Sequence, residues 1–324
     1  MKRFSLLVAA TIMMLTLAPA SAQVWPARPI TLVVPFPAGS ATDTIGRLVA
    51  DRLSKRLGQS VVVDNRVGGG SLVGTAFVAK ADADGYTLLF GTNSALVILP
   101  LIQPAAMTFD VTRDLSPIGI VAALPNILIV SPKLPVNSVS ELIQYAKANP
   151  GKLSFASSGT GTITHLIGEL FKVRAGIDTV HVPYKAGVQA APDLMEGRMD
   201  YIFDNILWSL PMIRDGKLKG LGITKLTRSP LAPDMPTIAE SGVPGFEGFS
   251  WVAMLAPANV PAPVSQRLST ELAAIVADPG VVAELAKFGA EAASASPDVM
   301  RKVIVDDTAR WGDIIRNANI KVQS

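Results

Sequence analysis

The chain has 324 residues, of which 49% are apolar and 17% are charged. This length predicts about two domains, and this composition excludes a mainly disordered chain. The absence of cysteine, together with only two histidines, excludes a disulfide framework, a thiol nucleophile and a cysteine-based zinc site. We therefore expect neither a metal ion nor a cofactor.

Residues 1–22 are predicted to form an export signal. Lys2 and Arg3 precede an apolar run from Leu6 to Leu17, and Ala20-Ser21-Ala22 fits the A-x-A cleavage pattern. The apolar run is shorter than the ~20 residues that a membrane-spanning helix needs. We expect cleavage after Ala22 and a secreted mature chain.

Two of the 29 basic residues belong to this signal, which holds no acidic residue, so the rest of the chain carries 27 basic and 26 acidic side chains. No run of lysine and arginine with interleaved aromatic residues stands out. This balance excludes the strongly basic surface typical of nucleic-acid-binding proteins, and we expect no nucleic-acid partner.

Strand and helix signals alternate along the mature chain. The β-branched run 30–34 ends in a turn-rich loop, and apolar residues at helical spacing then continue from Thr42 to a stop at Gly58. This β-α-β order recurs and predicts mostly parallel sheets covered by helices. Further strands are predicted at 61–63, 86–90, 118–122, 127–130, 153–156, 179–182, 199–203 and 250–255, a long connection at 227–248, and terminal helices near 263–277, 281–288 and 297–318.

Three polar loops, residues 35–40, 91–94 and 157–162, follow predicted strands. In open α/β sheets, ligands bind beyond the carboxyl ends of the strands. Two of these loops lead directly into a helix, where unpaired N–H groups and the helix dipole favour an anion. Glycines would let the backbone approach the ligand, and hydroxyl groups would donate to carboxylate oxygens. These residues are Gly39, Gly159, Gly161, Ser40, Thr92, Ser157, Ser158, Thr160 and Thr162.

Plainer interpretations of the same residues stay open. A serine or threonine before a helix is most often a cap, and Asp43 in a first helical turn complements the dipole. His165 is either a ligand contact or a structural histidine, whereas His181, inside an apolar strand pattern, is predicted to be structural. Lys185 is either a ligand contact or a solvated lysine. Asp204-Asn205 either orient a loop or contact a ligand hydroxyl.

Several common enzyme motifs do not occur in the sequence. It contains no phosphate-binding loop of the form G-x-x-x-x-G-K-[ST], no H-E-x-x-H and no G-x-S-x-G nucleophile elbow. Gly68-Gly69-Gly70 lacks the dinucleotide-loop spacing, since Val73 stands where the third glycine belongs. An exported hydrolase that uses Ser157 or Ser158 with His165 and Asp204 stays open as an alternative.

Eight short motifs follow one another between Trp25 and the C-terminus. They are Arg28-Pro29-Ile30, Pro35-Phe36-Pro37-Ala38-Gly39-Ser40-Ala41-Thr42-Asp43, Asp84-Gly85-Tyr86-Thr87-Leu88-Leu89, Ser157-Ser158-Gly159-Thr160-Gly161 with His165-Leu166, Val182-Pro183-Tyr184-Lys185, Phe203-Asp204-Asn205, Pro233-Asp234-Met235-Pro236-Thr237 with Glu240, and Leu255-Ala256-Pro257. In this order they resemble the periplasmic solute receptors of tripartite tricarboxylate transporters, the TctC or Bug family. The resemblance covers essentially the whole mature chain.

The resemblance implies a two-lobed α/β receptor with the architecture of type II periplasmic binding proteins. Each lobe would be a mostly parallel sheet flanked by helices, and the lobes would be hinged around a ligand cleft. Lobe 1 is expected over 23–124 plus 248–324, and lobe 2 over 125–247. The loaded receptor, a periplasmic monomer without catalytic activity, would dock on the permease subunits in the membrane. A sensor that presents its ligand to a membrane kinase is the alternative.

The implied ligand is a mono-, di- or tricarboxylate with one carboxylate held between the first loop and the loop after Ser157. The candidate ligand contacts are Phe36, Pro37, Ala38, Gly39, Ser40, Asp43, Thr92, Asn93, Ser157, Ser158, Thr160, Gly161, Thr162, His165, Tyr184, Lys185, Asp204 and Asn205. Leu99 and Ile102 stand where the family has polar or aromatic residues, which indicates either a more apolar ligand body or burial within the lobe. Ser40 replaces a glycine of the family pattern and adds a hydroxyl group.

Overall fold

The computed structural model describes residues 25–293, 296–317 and 320. The predicted export signal and its cleavage site lie outside the described residues and stay predictions. The strands are β1 (Ile30–Val34), β2 (Val61–Asn65), β3 (Thr87–Thr92), β4 (Leu115–Leu124), β5 (Asn126–Val130), β6 (Ser154–Ser157), β7 (Val180–Pro183), β8 (Tyr201–Asn205), β9 (Lys219–Ile223), β10 (Ser250–Pro257) and β11 (Glu291–Ala292).

The strands form two open sheets. A six-stranded sheet has the order β11-β4-β10-β3-β1-β2, and a five-stranded sheet has the order β7-β6-β8-β5-β9. The chain passes from the first sheet to the second at Pro125 and returns before β10. The predicted α/β architecture of two helix-flanked sheets is confirmed. The limits of the lobes, 23–124 plus 248–324 and 125–247, stay a prediction.

Both sheets are mixed, although the β-α-β order of the sequence favoured mostly parallel pairing. β1 is parallel to β2 and β3, and β6 is parallel to β7 and β8. β10 is antiparallel to β3 and β4, β11 to β4, and β5 to β8 and β9. Every antiparallel pair includes β4, β5 or β10, the strands next to the two crossings between the sheets.

Local signals set the ends of several helices. Ser40 caps the first helix by accepting a hydrogen bond from the Asp43 N–H at 3.2 Å, and Gly58, with a φ of 69°, ends it. The helices are α1 (Ala41–Leu57), α2 (Leu72–Ala79), α3 (Leu99–Ile102), α4 (Val111–Asp114), α5 (Val139–Ala148), α6 (Ile163–Ala175), α7 (Ala191–Glu196), α8 (Ile206–Arg214), α9 (Ala262–Val276), α10 (Pro279–Lys287) and α11 (Pro297–Asn317). Among the described residues, no single helix is long and apolar enough to cross a membrane. The segments Ser94–Ile102 and Pro104–Asp114 pass that test only as a pair, bent by 114°.

The last helix, α11, packs against elements of both sheets. It contacts β4 of the first sheet and α6 beside the second. Trp311 is fully buried in an apolar cluster that also holds Phe171 and Phe246. The indole N–H of Trp251 on β10 donates to Asp307 Oδ2 at 2.8 Å. These contacts hold the two sheets so that the loops at their strand ends lie near each other.

Candidate functional site

The first polar loop, residues 35–40, is held by a buried carboxylate. Asp43 is 2% exposed. Its Oδ2 accepts hydrogen bonds from the Gly39 N–H at 2.8 Å and from Arg47 Nε at 3.0 Å, and its Oδ1 accepts one from Asn65 Nδ2 at 2.8 Å. Burial raises the pKa of Asp43, but these hydrogen bonds outweigh burial and hold the pKa below its ordinary value. Asp43 therefore stays charged and stabilises its own loop.

Some backbone groups of this loop, which the sequence predicted to face an anion, are instead hydrogen-bonded within the protein. The Gly39 N–H donates to Asp43, the Ser40 N–H donates to the Pro37 carbonyl at 3.1 Å, and the Phe36 carbonyl accepts from Asn65 at 3.0 Å. Pro37 and Ala38 are exposed, whereas Phe36 and Ser40 are half-buried. Gly39 has a φ of 81°, a conformation that favours glycine. The backbone conformation of this turn therefore explains why a glycine stands at residue 39.

The second polar loop, residues 157–162, also bonds to itself. Thr162 caps α6: its Oγ1 accepts from the His165 N–H at 3.4 Å and donates to the Gly159 carbonyl at 2.7 Å. The Gly161 N–H donates to His165 Nδ1 at 3.1 Å, and the Ser158 N–H donates to Thr164 Oγ1 at 2.9 Å. In the described part of the chain, the N–H groups of Thr160, Ile163 and Thr164 have no hydrogen-bond acceptor. Unpaired N–H groups at the start of a helix can pair with an anion.

Two stacked histidines form hydrogen bonds with residues of this loop. The rings of His165 and His181 lie 3.9 Å apart between centroids, and Ser157 Oγ lies 2.7 Å from His181 Nε2. Burial lowers the pKa of His165 to about 3, with further lowering by His181 and Lys172, and burial with Lys172 lowers the pKa of His181 to about 4. Both rings are neutral near pH 7. Since His165 Nδ1 accepts a hydrogen bond, its proton is assigned to Nε2.

The catalytic arrangement left open by the sequence does not form. Ser157 is fully buried, and its hydroxyl group is paired with His181 instead of His165. Within the residues that the structure describes, no hydrogen bond joins His165 to Ser158 or to Asp204. A nucleophile needs a base within hydrogen-bond reach and access to a substrate, and Ser157 has no such access.

Asp204, at the end of β8, is a buried carboxylate with one free oxygen. Its Oδ1 accepts a hydrogen bond from the Asn205 N–H at 2.6 Å, while its Oδ2 has no partner among the described residues. Burial raises the pKa of Asp204 to about 6, and the hydrogen bond from the Asn205 N–H and the nearby Trp208 indole N–H offset part of that rise. A Cβ at residue 187 would overlap Asp204 Oδ2 and lie 3.1 Å from Ser158 Oγ, so only glycine fits at Gly187.

The remaining predicted contacts are spread over both halves of the molecule. Asn205 caps α8 by accepting from the Leu207 N–H at 2.7 Å. The Tyr184 hydroxyl donates to Asp193 at 2.6 Å, and Lys185 is exposed. Thr92 and Asn93 are buried at the end of β3, where Asn93 Nδ2 donates to the Phe249 carbonyl at 3.0 Å. Asn93 therefore ties β3 to the segment that returns from the second sheet.

A cavity of about 380 Å³ lies between the second loop and two segments of the first half of the chain. Its volume falls within the range of about 300–1,000 Å³ that is typical of small-molecule sites. One wall is the start of α6, and the other is the glycine loop after β2 with the helical segment after β3. The lining residues are Gly69, Gly70, Ser94, Leu99, Ile102, Gln103, Thr160, Gly161 and Thr162. The first loop, Asp204 and Lys185 do not line it.

A second cavity of about 420 Å³ lies between α4, β4 and α11. It is lined by Val111, Leu115 and Ile304, among others, at the end of the first sheet where β4 begins. Neither polar loop contributes to it. We therefore assign the candidate site to the cavity at Thr160–Thr162.

Comparison with known proteins shows which family the chain belongs to. The model of the family described as "Tripartite tricarboxylate transporter family receptor" (TctC) matches residues 45–320. This chain belongs to the TctC receptor family. Receptors of this family are periplasmic solute-binding proteins.

Three relatives illustrate the family. The chain is 38% identical over 306 residues to the protein BugT of Bordetella pertussis, covering 94% of each chain. It is 39% identical to the Rhodopseudomonas palustris protein Rpa4515, solved with adipate, with a TM-score of 0.79, covering 92% of this chain and 99% of that one. It is 29% identical to MatC of the same organism, solved with bound malate, with a TM-score of 0.74, covering 90% of this chain and all of that one.

In this TctC receptor, sequence reasoning predicted the wall formed by Thr160–Thr162. Of the opposite wall it noted Leu99, Ile102 and the loop that holds Ser94, and it missed Gly69, Gly70 and Gln103. Thr160, Gly161 and Thr162 were predicted from their polar loop before a helix. Gly69 and Gly70 were noted only as a failed dinucleotide loop, and Gln103 carried no signal of its own. The available signal was the position of the glycine loop directly after a strand, the same place that singled out the other loops.

Proposed function

We propose that this protein captures a small organic carboxylate in the periplasm and delivers it unchanged to the permease subunits of a tripartite tricarboxylate transporter. The observation that carries the proposal is the cavity between the two halves of the molecule, closed on one side by the start of α6. Family membership supports it, as do the adipate and malate found with two Rhodopseudomonas palustris relatives.

The start of α6 suits a carboxylate without any cation. The free N–H groups of Thr160, Ile163 and Thr164 lie at the positive end of the dipole of a 13-residue helix. The Thr160 hydroxyl group, at the cavity wall, adds a further donor. In the proposed complex these groups replace the water lost by the carboxylate on binding.

The histidine pair contributes by holding the loop in shape. His165 accepts a hydrogen bond from the Gly161 N–H, and His181 shares a hydrogen bond with the Ser157 hydroxyl group. Because these groups are satisfied inside the protein, the loop meets the ligand with the N–H groups that remain. The proposed backbone donors to the ligand are therefore the N–H groups of Thr160, Ile163 and Thr164, rather than the Ser157 hydroxyl group.

The proposed binding without chemistry is supported by the same geometry. Ser157 is buried, and the neutral histidines are engaged with the loop, so the site lacks an activated nucleophile. The proposed lobes, 23–124 plus 248–324 and 125–247, would close over the ligand by bending near Pro125 and Phe249. Release would follow opening of the lobes at the permease.

A thermal-shift screen of the mature protein tests the proposal. Carboxylates are expected to raise the melting temperature, with about 2.7 kcal/mol of added stability at a hundredfold excess over Kd. Free sugars and amino acids serve as negative controls. Thr160→Val should weaken carboxylate binding, whereas Thr227→Val, at an exposed threonine outside the cavity, should leave it unchanged.

Stabilisation by sugars alone would refute the proposal. The delivery step is tested by uptake of a labelled carboxylate in cells with and without the receptor gene. Uptake that does not depend on the receptor would contradict a role in transport.

A further inference from the structure

We infer that the cavity selects carboxylates with a single charged end and an apolar body, and that it disfavours dicarboxylates of the same length. This inference rests on the proposed function, because it assumes that one carboxylate lies at the start of α6. It concerns the opposite wall of the cavity, which decides what the rest of the ligand can be.

None of the nine residues that line the cavity carries a charge. The wall opposite Thr160–Thr162 presents two aliphatic side chains, Leu99 and Ile102, next to the amide of Gln103. A second carboxylate placed against this wall would lose water without meeting a lysine, arginine or histidine. Burying an unpaired carboxylate is unfavourable by several kcal/mol, and neutral donors offset only part of that.

The aliphatic wall is held in place from two sides. A Cβ at residue 70 would lie 3.5 Å from Leu99 Cδ1, so the glycine loop is nearly in contact with Leu99. From the other side, α11 packs against the short helix α3 that carries Leu99 and Ile102, and a Cβ at Gly312 would lie 3.6 Å from Leu101 Cδ2. Leu99 is only 9% exposed. A ligand would therefore meet this wall as an apolar surface, which suits methylene or ring carbons.

The polar groups beside the wall are neutral. The Gln103 amide and the Ser94 hydroxyl can pair with a hydroxyl, keto or amide group on the ligand. The class that fits is thus a monocarboxylate with an aliphatic or aromatic body and, at its far end, at most a neutral polar group.

The matched ligands hexanoate and adipate test the inference, because they share one chain length and differ only in the second carboxylate. Calorimetric titration of the mature protein is expected to show at least about tenfold tighter binding of hexanoate, which corresponds to 1.4 kcal/mol. Benzoate and terephthalate repeat the comparison on a rigid ring. Equal or tighter binding of the dicarboxylate in both pairs would overturn the inference and leave the proposed function standing. Binding of no carboxylate at all would overturn both.

Variants of the apolar wall test the same preference independently. Ile102→Lys places a cation in the lining and is expected to reverse the preference within each pair, and Gln103→Lys is expected to do the same if Ile102→Lys fails to fold. Ile102→Met conserves volume and apolarity and should keep the preference for the monocarboxylate. Leu226→Lys adds the same charge at a side chain that is 51% exposed and outside the cavity, and it should change nothing. An unchanged preference in both lining variants would contradict the inference.

Discussion

Ser157 Oγ and His181 Nε2 lie 2.7 Å apart across the adjacent parallel strands β6 and β7. The register pairs Phe155 with His181, so the imidazole reaches along the strand to the serine two residues further on. The His181 ring also stacks on His165, which accepts a hydrogen bond from the Gly161 N–H. His181 on β7 thereby helps to hold the loop that follows the neighbouring strand β6.

His181→Phe keeps an aromatic ring but removes the hydrogen bond to Ser157. We expect it to lower the free energy of unfolding by about 1–3 kcal/mol, because the buried hydroxyl group loses its best partner. Ligand affinity should fall as well, since the loop is less well held. Urea unfolding and calorimetric titration measure the two effects. Unchanged values in both would show that the pair does not support the loop.

The histidine pair predicts that acid destabilises the protein. The folded-state pKa values of His165 and His181, about 3 and about 4, lie below the ordinary value of 6.5. Between pH 6.5 and 3 the unfolded chain therefore binds protons that the folded chain does not, and stability falls as the pH falls. His165→Gln, whose amide oxygen can still accept from Gly161, should show a shallower loss between pH 7 and pH 4.5 than the unmodified protein. Equal slopes in urea titrations would contradict this assignment.

Asp204 predicts the opposite dependence of stability on pH. Its folded-state pKa, about 6, lies above the ordinary value of 3.8, so its contribution to stability is complete below pH 3.8 and is lost as the pH rises through 6. Asp204→Asn should therefore raise the free energy of unfolding at pH 7.5, by up to about 3 kcal/mol. At pH 4 the same variant should match the unmodified protein. A loss of stability at pH 7.5 would mean that the charged form has a partner in solution.

Gly187 and Asp204 are predicted to be energetically coupled. Gly187→Ala adds a methyl group where Asp204 Oδ2 lies, and we expect a loss of about 1–3 kcal/mol. In an Asp204→Ala background the same change should cost much less, because the carboxylate is gone. A double-mutant cycle measured by urea unfolding gives the coupling directly. Additive effects would show that the two residues do not meet.

Elements with local signals could be predicted from the sequence, and elements that depend on distant packing could not. The sequence predicted α1 within about a residue of each end, because the Ser40 cap and the Gly58 stop lie next to the helix. It did not predict α8, which contains Pro211, or β9, which contains two glycines. Residue 220 must be small because Met235 and Ile213 pack over it, and those contacts are invisible in a local pattern.

The same limit applies to the candidate site. Thr160–Thr162 could be predicted because a polar loop before a helix has a recognisable sequence. Gln103 and Gly70 reach the cavity only because the segment after β3 folds against the glycine loop, so no spacing in the sequence connects them to Thr160. The pairing of Ser157 with His181 likewise depends on the register of two strands.

The position of α11 has a consequence for how the chain can be divided. Gly248 leaves room for Trp311 of this helix and for Ile167 of α6, so the C-terminal segment covers apolar surface that belongs to residues 125–247. We therefore expect that residues 125–247 do not fold as an independent unit. Expressed as a fragment, they would carry a bare patch around Ile167 and Phe246 that only the far end of the polypeptide can cover.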